Sequence, residues 1–332
     1  MWLGTARKIG LRVVRTSDAY AATDGRGTLS IASDDSLDAD DSLAQMIFHE
    51  LCHSLVEGEQ SFSRADWGMD NTGPDHDWRE HACLRVQWVL TGRHGLRTLF
   101  APTTEFRAFW DRLSGDVLAD RTERSVVAAI AALQRSDQPP WGPTLGEALA
   151  ATARIAREAS RWTPDPDVLW SGIAEPPPPH PSGLPPGAAA ATCATCATCA
   201  WRHEQRGPRC RQAEMKIDDA WPACERYEAA LDCQTCGACC RAAYHSVEVQ
   251  RRDPVVKKQP GFIVDRGTYL EIRRNGDRCA ALAGGEPEPE PDGDRVTRFH
   301  CAIYDDRPKT CRDFTLGSAH CLTARRRVGL SL

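Results

Sequence analysis

Two short runs near the start of the chain, residues 8–15 and 27–33, alternate apolar with polar side chains. Period-two alternation marks a strand with one covered face, and Asp24-Gly25-Arg26-Gly27 stands just before the second run, where a turn belongs. The pattern predicts a short antiparallel hairpin. The period then lengthens. Leu43, Ile47, Leu51 and Leu55 recur every fourth residue, the spacing of one helix face. Ser42 is placed to cap that helix, the acidic stretch Asp34 to Asp41 leads into the positive end of its dipole, and Gly58 can stop it. A second helix is expected from about Asp75 through Trp88. Three more follow at residues 104–113, 120–135 and 144–162, the middle one with Val126, Val127, Ile130 and Leu133 as its buried stripe.

Past residue 163 the periodicity lapses. Pro176 to Pro179, Pro181, Pro185, Pro186 and Gly187 stiffen the chain without letting it pack, so residues 164–212 read as a linker. From Ile217 the chain looks ordered again. The fold class that follows is α+β: a hairpin-plus-helices domain at 1–163, the linker at 164–212, and a small irregular α+β domain at 213–332.

Composition changes the picture in two places. A formal charge of −5 gives no electrostatic case for a nucleic-acid partner, and no apolar run approaches the ~20 residues that span a bilayer. The start, Met1-Trp-Leu-Gly-Thr-Ala-Arg-Lys, lacks the apolar core of a signal peptide. Fifteen cysteines without an export signal favour a reducing, cytoplasmic setting and metal ligation over disulfides.

The predicted first long helix carries His49-Glu50-Leu51-Cys52-His53. Residues i and i+4 share a face, so His49 and His53 can present two imidazoles to one Zn²⁺. Glu50, one position on, can reach a metal-activated water as general base. This HExxH motif resembles that of the zincin metallopeptidases, which implies a peptide or protein substrate. Three protein ligands are then needed. Glu80, 27 residues after His53, resembles the downstream glutamate of glutamate-type zincins. His81, His76 and Glu57 stay open as alternatives. Glu59 occupies the place of the third histidine of the metzincins, whose glycine is Val56 here. Cys52 and Cys83 are expected to pack as small hydrophobes.

The densest chemistry is Cys233-Gln-Thr-Cys236-Gly-Ala-Cys239-Cys240, four sulfurs in eight residues. Two-residue spacers aim consecutive thiolates at one centre, and Gly237 removes bulk where the backbone must turn. Neighbouring side chains diverge, so Cys239 and Cys240 together call for two nearby metals or a cluster. Cys279, Cys301, Cys311 and Cys321 follow, with an acidic Glu-Pro repeat from Glu286 to Pro291 expected as an exposed loop. The set CxxCxxCC, CxxL, CxIYxxRPxxCRxF and a last cysteine resembles the YkgJ-type cysteine-cluster family, described as zinc- or iron-chelating, over roughly 230–322. The resemblance implies that all eight cysteines are ligands, to zinc, to iron or to an Fe–S cluster. Related cysteine runs occur in a flagellin lysine methylase. Arg307 and Arg312 can offset thiolate charge by donating to sulfur.

Upstream, Ala-Thr-Cys repeats three times and places Cys193, Cys196 and Cys199 at CxxCxxC spacing. Inside an Ala/Pro linker the repeat reads as sequence expansion rather than a ligand set, with Cys210 and Cys224 as bystanders. Arg325-Arg-Arg327 reads as a solvated tail. The functional expectation is a two-site metalloprotein with a proteolytic N-terminal site. Its alternatives are a metal-handling protein with an idle HExxH, and a cluster-dependent modifying enzyme.

Overall fold

The chain divides into two α+β units, Met1–Pro179 and His180–Leu332. The computed structural model describes every residue except 39–40, 70–76, 103–105, 163–167, 169–171, 189, 200, 204–206 and 290–294. Residues 180–212, the greater part of the expected linker, pack within the second unit.

The first unit begins with helix α1 (Trp2–Ile9), which buries Trp2, Ala6 and Ile9 and ends at Gly10 in the left-handed region. Strands β1 (Arg12–Thr16), β2 (Ala21–Thr23) and β3 (Thr28–Ala32) form one sheet in the order β1-β3-β2. The expected hairpin partners are corrected here. β1 and β3 run parallel, Arg12 opposite Thr28, and the antiparallel partner of β3 is β2. The Asp24 turn is real but joins β2 to β3, with the Asp24 carboxylate accepting from the N–H groups of Arg26 (2.7 Å) and Thr28 (2.9 Å). Alternation reports which face is covered. It does not report strand direction.

Helix α2 (Leu43–Glu57) starts where Ser42 Oγ accepts the Gln45 N–H at 3.2 Å and stops at Gly58, φ +81°. Ile47, Phe48, Leu51, Cys52 and Leu55 are all 0% exposed. At about 1.5–3 kcal/mol per fully buried large side chain, this stripe makes α2 the centre of the unit. Helices α3 (Asp77–Gly92), α4 (Arg107–Arg112), α5 (Arg124–Ser136) and α6 (Thr144–Trp162) complete it. Asp75, where α3 was expected to begin, and residues 104–105 of the third expected helix lie outside the described residues. Val126, Ile130 and Leu133 of α5 are buried, whereas Val127 is only half-buried. Both α3 and α5 pack against α2. The end of α2 is pinned from outside by Trp141 Nε1, which donates to Ser54 Oγ at 2.8 Å, and by Arg135, which donates to the Leu55 and Val56 carbonyls.

The second unit is built from short pieces. Strands β4 (Trp201–His203), β5 (Gly207–Cys210) and β6 (Met215–Lys216) form an antiparallel sheet. Four-residue helices α7 (Cys233–Cys236) and α8 (Ala238–Arg241) follow. Strands β7 (Glu248–Val249), β8 (Ile263–Asp265) and β9 (Leu270–Ile272) make a second sheet in the order β7-β9-β8, crossed by helix α9 (Pro254–Lys258) between β7 and β8 in the chain. Hairpins β10 (Arg274–Asn275) with β11 (Arg278–Cys279) and β12 (Leu282–Pro289) with β13 (Arg295–Cys301) come next, then helices α10 (Lys309–Arg312) and α11 (Ala319–Arg327).

Two expectations fail in this unit. The start of the Glu-Pro repeat is strand, not loop: β12 pairs with β13 across a register shift between Gly284 and Pro287. A two-stranded ribbon has only edges, and an edge tolerates proline because it needs no donor on its open side. The rest of the repeat lies outside the described residues. Arg325 is no solvated tail. It is 5% exposed, on α11, and donates to the buried Glu228 carboxylate, to Ser331 Oγ (2.9 Å) and to the Leu330 carbonyl (3.0 Å). Among the described residues no helix is long and apolar enough to cross a membrane.

Candidate metal centres

His49 and His53 leave the same face of α2, one turn apart, and meet Glu80 from the first turn of α3. Their Nε2 atoms lie 3.0 Å from each other. The Glu80 carboxylate stands 3.3 Å from His49 Nε2 and 3.1 Å from His53 Nε2. An ion with ligand bonds of about 2.0–2.2 Å spaces tetrahedral donors roughly 3.3–3.6 Å apart, so the three groups sit close to the separations zinc would need. The His49 ring is oriented from behind. Gln87 donates through Nε2 to the Phe100 carbonyl, which leaves its Oε1 facing His49 Nδ1 at 3.1 Å. Nδ1 therefore carries a proton, which leaves Nε2, facing Glu80, as the nitrogen that a metal would take. His53 Nδ1 is buried without a hydrogen-bond partner, so that ring is oriented by packing and by the contacts of its Nε2 with His49 and Glu80.

Electrostatics point the same way. Burial opposes a charge on either imidazole, but the Cys83 thiol and the Glu80 carboxylate hold both rings protonated well above the usual histidine range. Burial likewise opposes the Glu80 charge, and His53 and His49 hold it well below the usual carboxylate range. Burial, with a hydrogen bond to Cys52, pushes the Cys83 thiol up, so Glu80 carries the negative charge. The pocket is organised to hold positive charge.

Cys83 belongs to this convergent group in space, yet it meets the other side of His49. Its Sγ lies 3.8 Å from Nδ1 and 3.6 Å from the His49 carbonyl. It also hydrogen-bonds His53, and the ligand atoms of all four residues lie within 4.8 Å of one another. The remaining candidates lie elsewhere. Glu57 is ion-paired with Arg79. His81, a hundred degrees round the helix from Glu80, stacks on Phe109 at 3.9 Å between ring centroids. Glu59 is exposed, and His76 lies outside the described residues. Glu50 is 8% exposed and accepts a 2.8 Å hydrogen bond from Trp67 Nε1. Trp67 itself is held by its N–H to Thr23 Oγ1 at 3.2 Å, which ties the glutamate to the β2 edge. Sequence reasoning missed this indole, because the contact joins residues 17 apart across a bend at a positive φ of 57°.

In the second unit Asp232 caps α7 through the N–H groups of Gln234 (2.9 Å) and Thr235 (3.3 Å), and Gly237 separates α7 from α8 at φ +57°. A Cβ on Gly237 would meet the Phe299 ring at 2.8 Å, so glycine is required twice over, for backbone and for space. On α8 the two adjacent cysteines, one position apart round the helix, point different ways. Cys239 interacts electrostatically with Cys321, Cys236 and Cys233. Cys240 shares a hydrogen bond with Cys279 and faces Cys311 as well as its neighbour Cys239. Cys301 faces Cys279, and Cys311 faces Cys279 and Cys301. The eight cysteines thus fall into two sets of four: 233, 236, 239 and 321 beside α11, and 240, 279, 301 and 311 against the core of Val249, Val255, Leu270, Ile272 and Ile303.

Burial and neighbouring sulfurs push Cys239 up to about 12 and Cys311 up to about 11, whereas the hydrogen bond from Cys240 draws Cys279 down to about 6. Backbone N–H groups point at sulfur in both sets, as at Cys236, which accepts from Ala238 N at 3.4 Å. Of the two expected arginines, Arg307 lowers Cys301 and Cys311 by its charge while it donates to the Tyr304 carbonyl at 2.8 Å and stacks over that ring. Arg312 turns to Asp253 at 3.6 Å. The buried guanidinium that hydrogen-bonds a sulfur, at Cys236, belongs to Arg325. In the sequence it stands in what reads as a solvated tail, which discloses neither its helix nor its burial.

Residues 232–326 match the model of the CxxCxxCC family, described as "Putative zinc- or iron-chelating domain". The second unit therefore contains a cysteine-rich, metal-chelating domain of that kind, and the match leaves the first unit and residues 180–231 uncovered. No curated protein and no solved structure matches the chain.

Proposed function

We propose that the protein holds thiolate metal in its second unit, in two four-cysteine centres, and that its first unit is a zinc-dependent hydrolase of peptide bonds. The reading of the first unit is carried by one observation: His49 Nε2, His53 Nε2 and the Glu80 carboxylate converge at 3.0–3.3 Å. The donor set, two neutral imidazoles and one carboxylate, suits zinc in a site that keeps one position open. Zinc bound there supplies a Lewis acid and lowers the pKa of water to about 7. Glu50 takes up a proton and returns it to the leaving amine. Trp67 fixes one Glu50 oxygen and so aims the other, while Gln87 keeps His49 in the tautomer that binds.

A second reading, zinc held without hydrolysis, is favoured by the same Trp67 contact, which already occupies one Glu50 oxygen in a buried setting. Casein and peptide cleavage by zinc-loaded wild type and Glu50→Gln decides between them. Cleavage abolished by the substitution, with zinc retained, supports the hydrolase. Equal rates, or none with zinc bound, leave only the holding role. For the second unit, metal analysis after anaerobic purification separates colourless zinc thiolate from coloured iron.

A further inference from the structure

The Ala-Thr-Cys repeat is not idle chain. It folds as two successive 3₁₀ turns, Cys193–Thr195 and Ala197–Cys199. Here Cys193 opens the first turn, Cys196 stands extended between the two (ψ +123°) and Cys199 closes the second, and all three side chains end up in one buried cluster. The segment is fastened along its length: Cys193 N–H to the Trp221 carbonyl (2.9 Å), Ala194 N–H to Asp219 (3.1 Å) and Ala197 N–H to Glu228 (2.8 Å). Arg211 N–H reaches the Thr198 carbonyl at 3.2 Å and brings the end of β5, with Cys210, against the repeat.

All four cysteines are buried, at 3–7% exposure, and with Ile217 they make up a small core of their own. A core in which four of five buried residues are thiols is a poor hydrophobic core and a good ligand set. The thiols face one another. Cys199 hydrogen-bonds both Cys196 and Cys210, and Cys193 interacts with Cys199, Cys196 and Cys210. Donors are supplied to sulfur from outside, by Ala213 N–H to Cys210 (3.3 Å) and by Thr198 Oγ1, 3.2 Å from Cys196. Such donors stabilise the thiolate form.

Two neighbours in the same pocket, His180 and Cys224, are excluded as ligands. His180 Nε2 lies 2.9 Å from the Pro222 carbonyl, which can only accept, so Nε2 carries the proton. Its Nδ1 accepts from Ser182 N–H at 3.1 Å. Both ring nitrogens are committed. Cys224 hydrogen-bonds none of the four sulfurs, whereas Cys199 links Cys193, Cys196 and Cys210.

We propose that Cys193, Cys196, Cys199 and Cys210 form a third thiolate metal centre, taking zinc or iron, separate from the eight cysteines at 233–321 and outside the matched family region.

The test uses the full-length protein purified anaerobically. Its thiols are alkylated with and without a chelator, under constant reductant, and read peptide by peptide in a mass spectrometer. The proposal expects Cys193, Cys196, Cys199 and Cys210 to be protected until the chelator is added. Equal labelling before and after chelation overturns it, and so does protection that reductant alone removes, the mark of disulfides. Elemental counting on Cys199→Ser and Cys210→Ser should show about one metal fewer per chain if the centre is mononuclear, or iron with acid-labile sulfide lost together if it is a cluster. In either case the cysteines at 233–321 remain protected. An unchanged count refutes the centre. Cys224→Ser should leave both count and protection intact; loss of metal there refutes the ligand assignment. Should either serine variant fail to fold, the wild-type labelling still decides.

Discussion

The histidine site and the cysteine sets are built on opposite plans. His49, His53 and Glu80 project from helices of 15 and 16 residues whose apolar faces are filled by Ile47, Phe48, Leu51, Leu55, Leu84 and Val86. That scaffold has a core without its metal. Among the eight cysteines, Cys301 ends β13 and Cys321 lies on α11, and Cys236, Cys279 and Cys321 are themselves core residues. Most sit on shorter pieces, Cys279 on a strand of two residues and Cys233, Cys236, Cys239, Cys240 and Cys311 on helices of four. Helices that short do not hold themselves in water. In the first unit the fold makes the site; in the second, on the proposed reading, cysteine ligands share the core with Val249, Val255, Leu270, Ile272 and Ile303, and metal binding and folding would become one process.

Stripping metal should therefore produce the largest effect, and only in the second unit. Structural zinc contributes about 10–16 kcal/mol in small thiolate domains, as much as the whole stability of a typical fold at about 5–15 kcal/mol. After chelation, hydrogen exchange read by mass spectrometry should show protection lost across 233–326 and kept in Leu43–Glu57. Protection lost first in α2 would reverse the comparison.

Next in size is the buried pair Arg325–Glu228, whose side chains are 7% and 5% exposed. Replacing one partner leaves a charge buried alone, which costs about 3–5 kcal/mol. Arg325→Met should lower the urea midpoint of the second unit accordingly and weaken metal retention at Cys236. A shift under about 1 kcal/mol would mean that the pair is solvated.

The metal-free histidine site should have a pH signature. The folded pKa values of His49 and His53 are raised above about 6.5, so the stability they contribute is fully present below that value. It is lost as pH rises through the raised values. Zinc displaces those protons. Thermal melts of the first unit without zinc should thus fall with rising pH in the range above 6.5, and zinc should flatten the slope; a slope unchanged by zinc would remove zinc from the site. The smallest effect is Ser42→Ala, the loss of one cap, about 1 kcal/mol in the first unit with no change in metal count.

What the sequence disclosed follows the reach of each interaction. Ser42, Gly58 and the Leu43–Leu55 spacing are local, and α2 lies where they put it. Glu80 was singled out from a spacing along the chain, and the structure brings it to the two histidines through the packing of α3 on α2. The rest depended on contacts the chain does not write locally. The parallel pairing of β1 with β3, the indole on Glu50 and the burial of Arg325 against a residue 97 positions away have no periodic signature. The Ala-Thr-Cys repeat misled by its composition. Alanine and threonine beside prolines suggest a spacer, and only the packing of the two short turns against β5 shows that the three thiols are buried together with Cys210.

Gly237 has one more consequence. It opens α8, whose adjacent positions give Cys239 to one set of four and Cys240 to the other, so the two sets are joined by a single peptide bond, which is planar and stiff. Ordering either cysteine fixes the backbone of its neighbour. If both sets bind metal, the entropy of ordering that dipeptide is lost once and the second ion meets a site already half assembled. Occupancy then rises as a cooperative pair, and by linkage the favour is mutual: whichever ion leaves first loosens the other by the same factor.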